Sequence, residues 1–271
     1  MQDIHQGFRT VDQTTDVDFL FRFLDVADAT ESVRGYRQRM LDLTPTAPGQ
    51  RILDVGCGIG TVAMQLAEAV GSSGQVVGVD KNEVFIREAQ RRAVERSLPV
   101  AFQVGDAARL ELPDQSFDVV RTERTLMYLD QPERALDEMM RVLRPGGQIV
   151  IFEFDYDGTM IDAPNRELTR RIVRIISDSV ASSSIGRQAQ RLFKERGLQE
   201  VTVIPQLLTS NFAGYKMVFG GTLEQAVQTG QLDAAELADW WSSLEQAEQA
   251  GHFFVGLLGF VVYGHKPDTT V

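Results

Sequence analysis

The segment Arg51-Ile52-Leu53-Asp54-Val55-Gly56-Cys57-Gly58-Ile59-Gly60 decides the fold, because it joins a short apolar run to a glycine-rich turn. The run contains β-branched residues, which is typical of a strand buried in a parallel sheet. Glycine at three alternate positions then ends the strand, and residues 61–68 are good helix formers. Glycine is needed where the backbone takes unusual dihedral angles or where a ligand must approach the main chain. The segment therefore predicts a strand, a turn open to a ligand, and a helix.

A second apolar run, residues 75–79, ends on the carboxylate of Asp80. It predicts another buried strand, and Asp80 lies about 20 residues after the glycines, the distance expected for a residue that binds ribose hydroxyls. Ligands of parallel sheets bind beyond the carboxyl ends of the strands. We therefore expect an adenosine-containing ligand across the ends of these two strands.

The residues around the turn narrow the class of ligand. A dinucleotide fingerprint has Gly-x-Gly-x-x-Gly, but Thr61 stands three residues after Gly58, and Gly60 comes one residue early. Asp54 lies two residues before the first glycine, where its carboxylate would repel a pyrophosphate. A ligand that carries an amine or a sulfonium suits this position better.

The pattern Asp54-x-Gly56-x-Gly58-x-Gly60 resembles the first motif of the class I S-adenosylmethionine-dependent methyltransferases. Gly105-Asp106-Ala107 is similar to the adenine-contacting motif of that family, and the turn Arg144-Pro145-Gly146-Gly147 between a helix and an apolar strand also looks like it. The resemblance runs from residue 51 to residue 155. It points to the small-molecule group that includes ubiquinone and menaquinone biosynthesis enzymes (methyltransferase type 11).

The alternation of strands and helices predicts a doubly wound, mostly parallel α/β sheet with right-handed crossovers. The resemblance implies seven strands in a Rossmann-like methyltransferase fold, with the seventh antiparallel, and helical caps over the ligand face. We expect one domain over residues 1–271. Its predicted parts are an N-terminal helical cap (1–48), a cofactor-binding core (49–155), two cap insertions (156–184 and 211–251) and a C-terminal core (185–210 and 252–267).

The cofactor implied by the resemblance is S-adenosyl-L-methionine. Asp54, Gly56, Gly58 and Gly60 would hold its methionine end, Asp80 its ribose, and Asp106 with Ala107 its adenine. Further candidates for contact with the cofactor lie in the N-terminal helices, beside Asp80 and after the fourth strand: Tyr36, Arg37, Lys81, Glu123 and Arg124.

The reaction implied is an in-line displacement at the methyl carbon of a sulfonium, which needs alignment of the reactants but no metal. A base is needed only where the nucleophile carries a proton. His252, at the start of the last strand, and Glu153, at the end of the fifth, are the candidate catalytic residues; His265 is interpreted as structural, and His5 lies in the N-terminal arm. The candidate substrate residues are Tyr128, Asp155 and Tyr156.

Aromatic side chains are expected to form walls of an enclosed cavity for a small, apolar or aromatic molecule. The candidates are Phe154, Tyr156, Trp240 and Trp241. Because consecutive residues do not share one helix face, one tryptophan is expected in the core and the other in a cap or interface.

Composition bounds the partners. The 271 residues carry a formal net charge of −11, and the chain has no basic run, which argues against nucleic acid. The single cysteine, Cys57, indicates a reducing compartment and is interpreted as a small residue in a tight turn. No signal peptide is visible, and the apolar stretch 253–263 is too short to span a bilayer. We expect a cytoplasmic protein without a membrane partner; a homodimer stays open.

The function favoured is O-methylation of a natural-product or quinone-like hydroxyl, with C- or N-methylation of a small molecule as alternatives. An NAD-dependent oxidoreductase is a different enzyme class that would also use Asp80, but Asp54 and Thr61 speak against it. A non-catalytic S-adenosylmethionine-binding scaffold is the third reading, because no base is evident in the sequence.

Overall fold

The computed structural model of the chain describes Gly7 and residues 17–268, with side chains from residue 19 onward. The predicted N-terminal arm with His5, and the last three residues, lie outside the described part. Within it, seven strands form one sheet in the order β3-β2-β1-β4-β5-β7-β6. The strands are β1 (Arg51–Val55), β2 (Gln75–Asp80), β3 (Val100–Val104), β4 (Phe117–Glu123), β5 (Leu143–Ile161), β6 (Gln199–Thr209) and β7 (Val255–His265).

The helices follow the predicted alternation with the strands. They are α1 (Val17–Ala29), α2 (Glu31–Leu43), α3 (Thr61–Val70), α4 (Glu83–Arg96), a 3₁₀ turn (Leu126–Tyr128), α5 (Pro132–Val142), α6 (Arg166–Asp178), α7 (Ile185–Glu195), α8 (Phe212–Gln228) and α9 (Ala234–Gln249). In the described residues, no helix has the length and apolar character required to cross a bilayer.

The sheet is parallel except for β7, which pairs antiparallel with both β5 and β6. β1, β2 and β4 are almost wholly buried, because helices cover both faces of the sheet at its centre. The doubly wound seven-stranded fold predicted from the sequence is therefore confirmed. The order places the carboxyl ends of β1, β2 and β4 side by side, at the point where the direction of winding reverses.

β5 continues to Ile161, beyond residue 155, where the predicted cofactor-binding core ends. Its pairing with β7 breaks after Asp155 at a bulge and resumes at Met160, opposite Gly256. This extension takes up residues 156–161, which belong to the predicted cap insertion 156–184. The helix that follows in this insertion, α6, begins at Arg166, because the Asn165 side chain accepts a hydrogen bond from Leu168 N at 3.1 Å and caps it.

α6 and α9 form a second layer outside the sheet. Trp240 Nε1 donates a hydrogen bond to Thr169 Oγ1 at 3.0 Å, which joins the two helices. Trp240 and Trp241 are 2% and 9% exposed, and their ring centroids lie 4.9 Å apart. The expectation that one tryptophan faces a cap or interface is wrong, because α9 is itself covered by Phe212 and Tyr215 of α8.

Candidate functional site

A cavity of about 910 Å³ lies beyond the carboxyl ends of the strands. We divide the cavity according to the strands that lie next to it. The β1–β4 half lies at the ends of β1, β2, β3 and β4, and the β5–β7 half lies beside β5, β6 and β7. The β1–β4 half carries most of the charged lining residues, including Asp54, Asp80, Asp106, Arg121 and Glu123. Apolar and aromatic residues line the β5–β7 half, among them Phe154, Tyr156, Leu208, Phe219, Val255 and Leu257.

The predicted caps contribute unequally to the cavity wall. Residues of α1, α2 and α8 border it. From the predicted insertion 156–184 only Tyr156 and Thr159, both on β5, do so within the described chain, and α6 and α9 lie behind. The wall over the sheet therefore comes from the N-terminal helices and from α8.

The three glycines of the first turn serve different purposes. Gly56 has φ +70°, and a Cβ there would lie 2.0 Å from Thr125 Oγ1, so the loop after β4 packs directly on it. Gly58 has φ +54° and borders the cavity, and a Cβ there would meet no protein atom within 4 Å. It would instead project into open space, which leaves the main chain at Gly58 free for close approach by a ligand.

Gly60 does not border the cavity, which corrects its assignment to the cofactor. A Cβ at Gly60 would lie 2.5 Å from the Phe102 ring and 3.1 Å from Ala89 Cβ. The residue is small because α3 packs closely against β3 and α4 at this point.

Asp80 lies at the end of β2, as predicted, and anchors the glycine turn. Its Oδ2 accepts a hydrogen bond from Gly58 N and its Oδ1 one from Asn82 N, each at 2.9 Å. Burial raises the pKa of Asp80 above its ordinary value, and the two backbone donors oppose that rise. Since each carboxylate oxygen can accept more than one hydrogen bond, Asp80 keeps acceptor capacity toward the cavity that it borders.

Asp54 and Glu123 are joined by the buried guanidinium of Arg121. Arg121 Nη1 lies 2.8 Å from Asp54 Oδ1, and its Nη2 lies 2.9 Å from Glu123 Oε2. Burial raises the pKa of Asp54 to about 6, against the attraction of Arg121. Burial also favours protonation of Glu123, but Arg37, Arg124 and Arg121 hold the pKa of Glu123 well below its usual range. Glu123 is thus a fixed negative charge in the β1–β4 half.

The N-terminal helices complete this network. Arg37 Nε donates to Glu123 Oε1 at 2.8 Å, and Arg37 Nη1 pairs with Asp28 Oδ1 at 2.6 Å. Arg124 lies 3.4 Å from Glu123 Oε1 and 3.9 Å from Asp28 Oδ1. Positive and negative side chains therefore alternate along the wall of the β1–β4 half. Within the described residues, the Nε atom of Arg121 has no hydrogen-bond partner.

Tyr36 contacts this network on the side away from the cavity. Its hydroxyl donates to Glu123 Oε1 at 2.6 Å, and its ring stacks on Phe152 with centroids 3.9 Å apart. The side chain is buried and does not border the cavity. The expectation that Tyr36 contacts the cofactor is corrected accordingly, because Glu123 lies at the cavity wall and takes the tyrosine hydroxyl.

Asp106, Ala107 and Lys81 border the cavity near the ends of β2 and β3, where the sequence analysis placed the adenine and ribose contacts. Asp106 Oδ1 accepts a hydrogen bond from Ala108 N at 2.8 Å, which fixes the turn after β3. Asp106 Oδ2 has no hydrogen bond among those of the described residues.

The structure does not place His252 in the cavity. The last strand begins at Val255, three residues later than His252, and the His252 side chain is exposed after the end of α9. Its backbone N–H donates to Ala247 O at 2.9 Å, which continues the turn that ends the helix. A residue held outside the cavity cannot take a proton from a substrate bound in it, so the assignment of His252 as general base is corrected.

Glu153 is fully buried and does not border the cavity either. Its Oε1 accepts hydrogen bonds from Thr125 N at 2.9 Å and Leu126 N at 2.8 Å, and its Oε2 accepts from Met127 N at 3.3 Å. Burial raises the pKa of Glu153 to about 7, although these three donors favour the carboxylate. Its role is to hold the loop after β4, and the catalytic assignment is corrected.

Of the predicted substrate residues, Tyr128 and Tyr156 border the cavity and Asp155 does not. Asp155 is buried and forms an ion pair with Arg187 of α7. The ion pair directs the Asp155 carboxylate toward α7 and away from the cavity, so the assignment of Asp155 to the substrate is corrected.

Sequence reasoning missed Arg121, Asp28 and Tyr215, which all border the cavity. A signal was present only for Arg121, since a charged side chain inside an otherwise apolar strand needs a buried partner. Nothing in the periodicity of the two helices singles out Asp28 or Tyr215.

A family model described as a methyltransferase domain matches residues 47–197, which is more than half of the chain. The chain belongs to this methyltransferase family. The match covers the glycine turn, Asp80 and Asp106, the elements that form the β1–β4 half, so the prediction of a class I S-adenosylmethionine-dependent methyltransferase is confirmed and the NAD-dependent alternative is not.

This methyltransferase has relatives in several bacteria. It is 38% identical over 247 residues to an uncharacterized 37.1 kDa protein in transposon TN4556 of Streptomyces fradiae, covering 89% of this chain and 69% of that protein. It is 34% identical to the ubiquinone/menaquinone biosynthesis C-methyltransferase UbiE of Ectopseudomonas mendocina, over 46% of this chain and 50% of that protein. It is 39% identical to the nocamycin O-methyltransferase of Saccharothrix syringae, over 47% of each chain. The matches to the two named enzymes thus span about half of their length.

A solved structure shares the fold. The phosphoethanolamine N-methyltransferase 2 of Haemonchus contortus, solved with phosphomonomethylethanolamine and S-adenosylhomocysteine, superposes with a TM-score of 0.64 at 20% identity, over 96% of this chain and 60% of that chain.

The cofactor of the methyltransferase is S-adenosyl-L-methionine, and the β1–β4 half has room and charges to fit it. The methionine end of that molecule carries an ammonium, a carboxylate and a sulfonium, and the wall here offers both carboxylates and guanidinium groups. Gly58 leaves open space beside its main chain, and Arg121 Nε is a buried donor without a partner in the described chain. These features match a ligand of mixed charge.

Replacing Gly58 with alanine is expected to lower the affinity for S-adenosylhomocysteine at least about tenfold, because the new Cβ occupies the space beside the turn. The matched control is Gly230→Ala, at a position with φ +75°, no atom within 4 Å of its Cβ and no contact with the cavity. Both variants carry a similar cost of positive φ, about 1 kcal/mol. Calorimetric titration measures the affinity; an equal loss in both variants would contradict the role of Gly58.

Proposed function

We propose that this enzyme transfers the methyl group of S-adenosylmethionine to an oxygen atom of a small, mainly apolar and aromatic molecule by in-line displacement. The observation that carries the proposal is the division of one cavity into a charged half and an apolar half. In this proposal the charged half holds the cofactor and the apolar half holds the acceptor.

The residues of the β1–β4 half would act by binding and orientation. Asp80 would accept hydrogen bonds from the ribose hydroxyls, and Asp106 would accept one from the adenine amine. Asp54 and Glu123 would face the cationic groups of the methionine end, and Arg37 with Arg124 would face its carboxylate. The cofactor supplies an electrophilic methyl carbon on a sulfonium that departs as a neutral thioether. No acid is then required to expel the leaving group.

The β5–β7 half would position the acceptor. Phe154 and Tyr156 lie edge to face with centroids 5.7 Å apart, and Tyr156 and Phe219 do so at 6.2 Å. Such a row of rings offers both faces and edges to an aromatic ligand. Holding two reactants in alignment can by itself lower a barrier by about 7–11 kcal/mol. Alignment is therefore the main contribution that we assign to this half.

We assign the enzyme only a minor role in removing a proton from the acceptor. In the part of the chain that the structure describes, neither histidine borders the cavity, and the bordering carboxylates belong to the β1–β4 half or to the N-terminal helices. An acceptor whose hydroxyl is acidic, such as a phenol or an enol, reacts as its anion and needs little help from a base. This favours such hydroxyls over aliphatic alcohols.

The relatives support two acceptor atoms. The similarity to an enzyme named as an O-methyltransferase, at 39% identity, supports oxygen, and the similarity to UbiE, named as a C-methyltransferase, at 34%, supports carbon. Methylation of carbon is therefore the second candidate, and the cavity suits it equally. N-methylation is the third alternative that the sequence leaves open.

The proposal is tested with S-adenosylmethionine that carries a trideuterated methyl group. The purified enzyme is incubated with it and a metabolite extract, and small molecules that gain the label are isolated. We expect the NMR spectrum of the product to show the trideuterated methyl group bonded to an oxygen atom. Label on carbon would select the second candidate, and label on nitrogen the third. Binding of S-adenosylhomocysteine without transfer to any small molecule would contradict the proposal. Gly58→Ala serves as the control with impaired cofactor binding.

The cytoplasmic location expected from the single cysteine and the homodimer left open by the sequence stay predictions. Sedimentation of the purified enzyme measures its oligomeric state directly.

A further inference from the structure

Four buried side-chain polar atoms lack a hydrogen-bond partner within the described residues: Asp28 Oδ1, Arg121 Nε, Thr122 Oγ1 and Tyr215 Oη. Asp28 and Arg121 belong to the ion network of the β1–β4 half, where Asp28 Oδ1 still pairs with Arg37. Thr122 does not border the cavity. Tyr215 is different, because it borders the cavity and lies outside that network.

Tyr215 is held firmly on α8. It is 2% exposed, and its ring packs against Phe219 at 4.9 Å, Trp241 at 5.9 Å and Trp240 at 6.4 Å between centroids. These rings fill its surroundings with apolar atoms and offer no acceptor for the hydroxyl. A buried hydroxyl without a partner is unfavourable, so a phenylalanine would serve better here if packing were the only role.

Two other hydroxyl groups at the β5–β7 half donate hydrogen bonds to the backbone. Thr159 Oγ1 donates to Tyr156 O at 2.7 Å, and Ser210 Oγ donates to Asn211 O at 3.1 Å. Tyr128 and Tyr156 have interactions of their own within the chain. The Tyr215 hydroxyl is a buried group bordering this half that has no hydrogen-bond partner among the described residues.

We propose that the Tyr215 hydroxyl donates a hydrogen bond to an oxygen atom of the acceptor molecule, and thereby selects oxygenated aromatic molecules over hydrocarbons of the same shape. The proposal rests on the proposed function, because it takes the β5–β7 half as the acceptor site. Tyr215 is a specificity-determining residue in this account, and it takes no part in the chemistry.

The state of the phenol agrees with this role. Burial raises the pKa of Tyr215 above its ordinary value. The hydroxyl therefore stays protonated at neutral pH and acts as a donor toward a carbonyl, an ether or a phenolate oxygen. Neutral hydrogen bonds of this kind change affinity by about three- to tenfold, and those to a charged oxygen by more.

The test compares two probes of matched shape, 2-acetylnaphthalene with a carbonyl oxygen and 2-ethylnaphthalene without one. Each is titrated into the enzyme saturated with S-adenosylhomocysteine, and binding is followed by the naphthalene fluorescence. In the unsubstituted enzyme we expect the ketone to bind more tightly than the hydrocarbon. Tyr215→Phe is expected to lower the affinity for the ketone by about tenfold and to leave the affinity for the hydrocarbon unchanged. The preference for the ketone is then lost.

Two controls accompany the titration. Tyr263→Phe deletes a hydroxyl on β7 that does not border the cavity, and it should leave both probes unchanged. The thermal midpoint of Tyr215→Phe should equal or exceed that of the unsubstituted enzyme, since the deleted hydroxyl has no partner to lose. A lowered midpoint would indicate a structural hydrogen bond and overturn the proposal.

The outcomes separate the two levels of inference. If both probes bind and Tyr215→Phe changes their two affinities by the same factor, the proposed role of Tyr215 is overturned, while the assignment of the acceptor site stands. If neither probe binds to the enzyme with S-adenosylhomocysteine, the assignment of the β5–β7 half as an aromatic acceptor site fails, and the role of Tyr215 fails with it. Loss of S-adenosylhomocysteine binding in Tyr215→Phe would also overturn the proposal, because the effect would then lie in the β1–β4 half.

Discussion

Replacing Glu123 with alanine is expected to lower the free energy of unfolding by about 3–5 kcal/mol, because it leaves several buried donors without their acceptor. Glu123 accepts hydrogen bonds from Tyr36, Arg37 and Arg121 at 2.6 to 2.9 Å. Its carboxylate is 6% exposed, so water cannot take over these contacts. The same change removes the negative charge between three arginines, which should also abolish measurable affinity for S-adenosylhomocysteine.

Denaturant titration with fluorescence detection measures this loss of stability. The matched control is Glu195→Ala, which deletes the carboxylate of an exposed i,i+4 pair with Arg191 on α7. Such pairs contribute about 0.3–0.5 kcal/mol, so the control should unfold almost as the unsubstituted enzyme does. A Glu123→Ala variant within 1 kcal/mol of the control would mean that the network does not depend on its central carboxylate.

Glu123→Gln separates charge from shape in the same experiment. The amide oxygen can still accept from one or two of the donors, but the amide nitrogen would face a guanidinium. We expect an intermediate loss of stability and a larger loss of cofactor affinity than of stability. If glutamine restored both quantities, shape rather than charge would explain the network.

The sheet and the first turn could be predicted because their signals are local. Apolar runs that end on glycine or aspartate place β1, β2 and β3, and the antiparallel β7 follows from the resemblance to the family. The extension of β5 to Ile161 could not be predicted in this way. Its strand character depends on pairing with β7, which lies about a hundred residues later in the chain.

The side chains at the strand ends were harder to assign than the strands. Glu153 stands at the correct edge of the sheet, but the loop after β4 folds beneath the end of β5 and takes both of its oxygens. Asp155 is taken by Arg187 on α7. In both cases a partner from a distant segment decides whether a carboxylate faces the cavity. The position of a carboxylate in the sequence does not reveal that partner. The conformation of the glycine turn, by contrast, depends on the residues of the turn itself.

Glu153 carries the second large effect, because one side chain accepts the backbone N–H groups of three consecutive residues, Thr125 to Met127. The bonds from Leu126 and Met127 are buried and the bond from Thr125 is partly buried, and Thr125 and Met127 border the cavity. Glu153→Ala is expected to lower the free energy of unfolding by roughly 3–5 kcal/mol at pH 5, and to weaken S-adenosylhomocysteine binding because the loop loses its anchor.

The pH dependence of that effect has a definite sign. Burial raises the pKa of Glu153 from 4.5 to about 7, so between these values the folded enzyme holds a proton that the unfolded chain has lost. The contribution of Glu153 to the free energy of unfolding is therefore complete below about pH 4.5 and falls by an amount of order 3 kcal/mol as the pH rises to about 7. Glu153→Ala lacks this titration, whereas Asp54, whose pKa is about 6, titrates in both proteins and cancels.

The difference in unfolding free energy between the unsubstituted enzyme and Glu153→Ala should accordingly be largest near pH 5 and much smaller at pH 8. Denaturant titrations at the two pH values measure it, with Glu195→Ala, which retains Glu153, as the control for loss of an exposed carboxylate. A difference that grows with pH would instead mean that the three backbone donors outweigh burial and keep Glu153 ionised in the folded enzyme. Its anchoring of the loop would then act through a fixed negative charge.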